Sequence, residues 1–228
     1  MDYSRQESLV KHPLPPIQVI GCGGVGSWVA LFCALGGVTE IELYDGDCVE
    51  PSNLARTPYL PRHVGEPKAD ALAEILREYR PGIGAFSHGL WRPGTRITSP
   101  HPATVVIGAV DGTDVRVEIS AYAAEAGLVY LDVGAEATGW NISDSPSGWI
   151  VPTTPREHGY YTPIFIAPVA MAASAVAWTV LAFDRPPKHF RFDATDLLYR
   201  PPDRRNCSPA TEERNKRCKR MTDSESHA

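Results

Sequence analysis

With 228 residues, 43% of them hydrophobic and 21% charged, the chain has room for one substantial core, and one domain is the default expectation. A formal net charge of −5 excludes the basic footprint of a general nucleic-acid binder. Five cysteines (Cys22, Cys33, Cys48, Cys207 and Cys218) form no CxxC pair, which excludes a regular disulfide framework and predicts reduced thiols and a cytoplasmic location.

The first eleven residues are polar and lack the apolar centre of a signal peptide. After the turn-forming Pro13, Pro15 and Pro16, the run Ile17 to Ile20 reads as a buried strand that ends at Gly21. A glycine loop follows, then an apolar helix over Val25 to Leu35 stopped by Gly36 and Gly37, then a second strand over Val38 to Tyr44 ending at Asp45. Lys68 to Tyr79 has Ala69, Leu72, Ile75 and Leu76 on one face and Pro81-Gly82 after it, the pattern of an amphipathic helix. Ile83 to His88 reads as a third strand, Trp91 to Pro102 as a loop, and Thr104 to Ile107 as a central strand. A helix over Val115 to Ala126 and a strand over Val129 to Val133 repeat the strand–helix unit. Such alternation predicts an α/β fold of the Rossmann-like, doubly wound kind, with a mostly parallel sheet.

Ala135 to Thr162 breaks the rhythm with Gly139, Asn141, Asp144, Pro146 and Gly148, and reads as a hairpin and a loop containing Trp149-Ile150-Val151. The longest apolar run, Ile164 to Phe183, is interrupted by Pro168 and Ser174; it predicts a buried helix over Ile166 to Leu181 rather than a membrane span. Phe190 to Tyr199 is expected as a late antiparallel edge strand. The domain is therefore drawn over residues 1–200. Residues 201–228, with five basic side chains between Arg214 and Arg220, are expected to form a polar solvated tail rather than a nucleic-acid site.

Gly21-Cys22-Gly23-Gly24-Val25-Gly26 fits G-x-G-x-x-G between a strand and a helix, where the backbone passes close to phosphates and helix N-terminal amides face them. Asp45, 19 positions after Gly26, is placed for ribose hydroxyls. The loop alone leaves NAD, FAD and ATP open. Asp47, Glu50, Asn53, Arg56 and Lys68 follow closely, a density of phosphate-directed groups that suits a triphosphate. Arg56 has the fork that grips phosphate oxygens, Lys68 a point charge for a departing pyrophosphate, and Asp111, after the central strand, a carboxylate for Mg²⁺.

In order and spacing, three blocks resemble the ThiF/MoeB/HesA family, the bacterial relatives of ubiquitin-activating enzymes: Gly21 to Ser27, Asp45 to Arg56, and Val64 to Lys68. Asp111 to Arg116 is similar to the family's Asp-Asn-x-x-x-Arg turn, and Ile166 to Val169 to the opening of its late helix. The resemblance implies an ATP- and Mg²⁺-dependent adenylyltransferase that acts on the C-terminal carboxylate of a ubiquitin-like sulfur-carrier protein or peptide. It implies nucleotide contacts by Gly21, Gly23, Gly24, Gly26, Asp45, Asp47 and Asn53, phosphate contacts by Arg56 and Lys68, and a metal at Asp111. Tyr3-Ser4-Arg5-Gln6 is similar to the family's Tyr-x-Arg-Gln, which implies a homodimer with Arg5 acting on the neighbouring subunit's ATP.

Two departures narrow the chemistry. Family members with a structural zinc carry two CxxC pairs, absent here, and members that form a thioester place a cysteine in the crossover loop, where Ser145 to Pro163 has none. Two other readings stay open: a non-catalytic nucleotide-binding subunit of the same fold, and an NAD-dependent oxidoreductase, for which no proton relay is evident.

Overall fold

The computed structural model describes residues 2–10, 13–94, 104–136, 139–146, 166–182 and 188–193. Contacts divide the chain into two units, Met1–Phe192 and Asp193–Ala228, and of the described residues only Asp193 falls in the second. In chain order the elements are β1 (Ile17–Ile20), α1 (Gly24–Gly36), β2 (Glu40–Tyr44), α2 (Lys68–Tyr79), β3 (Gly84–His88), β4 (Val105–Gly108), α3 (Thr113–Glu125), β5 (Val129–Glu136), β6 (Gly139–Ser143), α4 (Ile166–Ala182) and β7 (His189–Asp193). Short 3₁₀ turns at Pro51–Asn53 and Pro61–His63 interrupt the connection from β2 to α2.

The strands form one sheet in the order β3-β2-β1-β4-β5-β6-β7. The pairs β1–β2, β2–β3, β1–β4 and β4–β5 are parallel, whereas β5–β6 is an antiparallel hairpin with Asp132 opposite Ser143. The chain leaves β1 towards β2 and β3, then returns to the other side of β1 as β4. That reversal opens a crevice at the carboxyl ends of β1 and β4, where ligands of open α/β sheets bind.

Both faces of the sheet are covered, which is why its central strands read as unbroken apolar runs. Ile17, Val19, Ile41, Leu43, Ile107 and Leu131 face a core shared with α1, α2 and α4. Ile20, Tyr44, Val106 and Tyr130 point the other way, against Ile119 and Ala123 of α3. α1 is apolar on nearly every side and is buried accordingly. It lies so close to α4 that a Cβ on Gly36 would come within 2.3 Å of Leu181.

Three buried polar groups on the α3 side, Gln18, Glu42 and Asp132, are paired. Gln18 donates to Glu42 at 2.9 Å, Tyr44 donates to the same carboxylate at 2.8 Å, and Arg116 donates to Asp132 at 2.7 Å. These pairings let β1, β2 and β5 carry Gln18, Glu42 and Asp132 at 2% exposure or less.

The elements follow the sequence pattern with instructive differences at their ends. The second strand starts at Glu40 because Gly37, at φ 114°, and Val38 close α1: their N–H groups reach back to Ala34 and Cys33 at 3.2 and 3.0 Å. β5 runs to Glu136, beyond the expected Val133, because β6 supplies a new partner once the parallel pairing with β4 stops. Of the late strand predicted to Tyr199 only β7 is described; Trp149-Ile150-Val151, the boundary at residue 200 and the basic tail lie outside the described residues. In β7, Phe190 and Phe192 pack on Trp140 with ring centroids 5.2 and 6.1 Å away. Among the described residues no helix is long and apolar enough to cross a membrane.

Candidate functional site

The glycine loop turns from β1 into α1 under steric constraints that admit nothing larger at two positions. Gly21 sits at φ 96°, and a Cβ there would lie 2.4 Å from the Ala109 carbonyl oxygen at the end of β4. A Cβ on Gly26 would lie 1.9 Å from the Gly21 carbonyl oxygen, so α1 can start this close to β1 only with glycine at that position. Gly23 is the reverse case, since a Cβ there would meet nothing within 4 Å. The loop is packed from below and open above, a cradle at a helix N-terminus whose first amides have no intrahelical acceptor.

Charged groups meet at this cradle. Asp45, half-buried at the end of β2, accepts the Cys22 N–H on Oδ2 at 2.7 Å and the Asp47 N–H on Oδ1 at 2.8 Å. Each carboxylate oxygen keeps a further lone pair for a hydroxyl, so the ribose role and a second role as anchor of the loop are compatible. The aliphatic part of Arg56 comes within 3.7 Å of a Cβ built on Gly24, and its Nη1 donates to the Ser52 carbonyl at 2.6 Å. Lys68 opens α2 with its ammonium 2.8 Å from Asp47; the lysine side chain is 12% exposed and the aspartate 75%. Burial works against the lysine charge, but the Asp47 hydrogen bond and the charges of Asp45 and Asp47 outweigh it, so the ammonium titrates above its ordinary range.

The other predicted residues are placed less uniformly. Asn53 is buried and accepts the Glu50 N–H at 3.0 Å, closing the 3₁₀ turn that carries Arg56. Ala109 and Val110 pack against Gly21, and exposed Asp111 follows them at the same rim. It belongs to no three-membered group of ligating side chains among the described residues. One exposed carboxylate near the glycine loop would fit Mg²⁺ held beside a nucleotide, since Mg²⁺ takes one or two carboxylates and completes its octahedron with water and phosphate oxygens. Arg5 is not brought to the loop of its own chain. Its neighbours anchor at the far end of α1: Gln6 donates to the Gly36 carbonyl at 2.8 Å, and the Tyr3 ring lies 5.6 Å from the Arg80 guanidinium. A 13-residue helix separates that end from the cradle by about 20 Å.

Two further residues, neither of them part of the glycine or charged motifs, also touch the loop and its flanking segment. Trp28 of α1 donates its indole N–H to the Arg56 carbonyl at 3.0 Å, fixing the arginine's backbone to the helix behind the loop. Tyr59, 3% exposed, presents its hydroxyl to the carbonyls of Cys22 at 2.7 Å and Lys68 at 3.1 Å. Spacing and periodicity carried no signal for either contact.

Elsewhere, His63, Glu66 and Glu74 place one potential ligand atom each within 4.8 Å of one another. The Leu60 N–H donates to His63 Nδ1 at 3.0 Å, so the ring proton of neutral His63 resides on Nε2 and faces Glu74, 3.7 Å away. That tautomer donates a proton and does not ligate a metal. Among the described cysteines, Cys22 and Cys33 are buried; burial raises both thiols, Cys33 to about 12, while Cys48 is exposed. Iodoacetamide at neutral pH should therefore label Cys48 in the native chain and reach Cys22 and Cys33 only on unfolding, as read by peptide mass spectrometry.

A mostly parallel sheet with its glycine turn at the strand-order reversal, a carboxylate ending β2 and Arg56 and Lys68 in the connection that follows define an α/β protein of the Rossmann-like kind. The ThiF family model matches residues 6–147, and the chain belongs to the ThiF family. Over 73 residues it is 46% identical to "Adenylyltransferase and sulfurtransferase uba4" of Emericella nidulans, a match covering 32% of this chain and 15% of that protein. Over 173 residues it is 26% identical to "Ubiquitin-like modifier-activating enzyme 5" of Branchiostoma floridae, covering 70% of this chain and 40% of that protein. The chain thus spans less than half the length of either relative. The fold is also that of Escherichia coli MccB solved with ATP, with a TM-score of 0.61 at 17% identity over 83% of this chain and 63% of that one.

Proposed function

We propose that the chain binds ATP across the glycine loop and transfers AMP to the C-terminal carboxylate of a protein or peptide. What supports this reading is the neighbourhood of the glycine loop: the aliphatic stem of Arg56 lies beside Gly24, the Lys68 ammonium pairs with Asp47 two residues after Asp45, and exposed Asp111 follows the Ala109-Val110 segment that packs on Gly21. Two cations and a metal-competent carboxylate suit a triphosphate and leave a nicotinamide dinucleotide site with groups it does not use. The relatives' names, adenylyltransferase and modifier-activating enzyme, support the same chemistry.

In this reading a carboxylate oxygen attacks the α-phosphorus, the bond to the bridging oxygen breaks, and pyrophosphate leaves with that electron pair. The nucleophile is already ionised near neutral pH, so no side chain has to remove a proton. Arg56 and Lys68 hold the phosphate oxygens in line, and the loop amides face the charge that grows on them. Bound at Asp111, Mg²⁺ would neutralise part of the phosphate charge. Lys68 exchanges its contact with exposed Asp47 for phosphate, a swap between two charge-assisted hydrogen bonds. The substrate class is a ubiquitin-like carrier or peptide, the setting a cytoplasmic homodimer with Arg5 acting in trans; docking of the arm at the far end of α1 supports the last point.

ATP–pyrophosphate exchange driven by a pool of peptides with free C-termini tests the reading, with the C-terminally amidated pool as control. Exchange is expected with the free acids only, and Lys68→Glu should lower it about 100- to 1,000-fold. Tighter binding of NAD than of ATP, or undiminished exchange in Lys68→Glu, would overturn it.

A further inference from the structure

We propose that Tyr59 is a positioning residue for the triphosphate: its hydroxyl holds the Cys22 carbonyl so that the Gly23 N–H faces the open side of the glycine loop. The inference rests on the nucleotide reading above and adds to it a residue outside the glycine and charged motifs.

The argument starts from the peptide between Cys22 and Gly23. A trans peptide is planar, and its C=O and N–H point in opposite directions. Cys22 is held at both ends: its N–H is donated to Asp45 Oδ2 at 2.7 Å, and its carbonyl accepts the Tyr59 hydroxyl at 2.7 Å. With Cys22 wholly buried, the carbonyl is pulled inward and the N–H of the next residue is directed outward. Outward is where Gly23 has no atom within 4 Å of a built Cβ, and the Gly23 N–H has no acceptor among the described residues. An unpaired amide at the mouth of a helix N-terminus is a donor awaiting an anion.

The same hydroxyl lies 3.1 Å from the Lys68 carbonyl. A hydroxyl has one proton, so the two acceptors share it, the shorter contact going to Cys22. Tyr59 thereby spans the cradle and the first residue of α2, and sets the distance between the loop amides and the lysine that face the phosphates. Burial pushes the phenol far above its ordinary range, so the donor is present throughout the physiological pH range. The aromatic ring belongs to the main core, which separates two roles in one side chain: the ring packs and the oxygen aims.

Tyr59→Phe removes the oxygen and keeps the ring. Calorimetric titration of wild type and variant with MgATP and, separately, with adenosine reads the aim directly, because adenosine lacks the phosphates that the Gly23 amide would meet. We expect the variant to lose about 10- to 150-fold in ATP affinity, the worth of a hydrogen bond to a charged group, with adenosine binding unchanged. An equal loss for both ligands, or no loss for either, overturns the proposal, since a purely structural tyrosine would not change their ratio. A wild-type chain that binds no ATP overturns the nucleotide reading itself and the proposal with it. Amide hydrogen exchange on the wild-type chain gives an arm that depends on no variant: MgATP should protect the Gly23 amide and adenosine should not, and equal protection by the two would sink the assignment.

Discussion

Gly26→Ala should abolish tight MgATP binding and lower the melting temperature, whereas Gly24→Ala, two residues earlier on the same helix, should leave the fold intact. The added methyl at position 26 would lie 1.9 Å from the Gly21 carbonyl oxygen, a backbone atom that no side-chain rotation can clear. α1 must then back away from β1, and the cradle opens with it. Forcing a methyl into a packed site of this kind costs about 3 kcal/mol net, even after the roughly 1 kcal/mol that alanine contributes over glycine inside a helix. For a chain of this size that corresponds to a fall of about 6–12 °C in melting temperature. At Gly24 the nearest atoms to a built Cβ are side-chain carbons of Val169 and Arg56 at 3.6–3.7 Å, ordinary contact distances. Thermal melts and MgATP titration of both variants check the contrast. Equal stability of the two would contradict the packing.

That contrast also marks how much of the site was legible in the sequence. G-x-G-x-x-G between a strand and a helix announces a tight turn, and Gly21 and Gly26 obey the pattern because a backbone oxygen occupies the space of a side chain at each. Asp45 and Lys68 stand where β2 ends and α2 begins, and Asp111 between β4 and α3, positions that hydrophobic periodicity marks well, so the sequence could single out their charges as candidates. Tyr59 and Trp28 were not legible. Trp28 reads as one more apolar residue of an apolar helix and Tyr59 lies in a proline-flanked connection without a motif, and only the folded chain shows that a hydroxyl and an indole N–H meet carbonyls of Cys22 and Arg56, 37 and 28 positions away. The start of β2 was misread for a local reason, since Val38 fits a strand by composition but serves the cap of α1. The place of Arg5 shows a different limit: the motif suggests contact with a nucleotide, while the side chains that dock the arm fix it at the other end of α1.

The ion pair between Arg116 of α3 and Asp132 of β5 leads to the second large effect, one of stability rather than binding. The side chains are 5% and 0% exposed and meet at 2.7 Å; Tyr130 donates to the same carboxylate oxygen at 2.8 Å, and Arg116 Nη1 also reaches the Val133 carbonyl at 3.0 Å. A buried pair gains little over apolar residues of equal volume, because desolvation offsets most of the attraction, but removing one partner strands the other charge in a medium that solvates it poorly. Asp132→Ala should therefore destabilise the fold by about 3–5 kcal/mol. The double change Arg116→Met with Asp132→Leu should recover most of that loss, since no buried charge is left uncompensated and the Tyr130 hydroxyl retains the Arg116 backbone carbonyl, at 3.4 Å, as an acceptor. Urea unfolding of the wild type, Arg116→Met, Asp132→Leu and the double variant closes the thermodynamic cycle, with Asp132→Ala measured beside them. Because α3 begins at Thr113, two residues after Asp111, loosening its anchor on β5 should also weaken Mg²⁺-dependent nucleotide binding more than Mg²⁺-independent binding. If Asp132→Ala costs no more than the double variant, the pair does not anchor α3 and the link from the sheet interior to the segment of Asp111 is wrong.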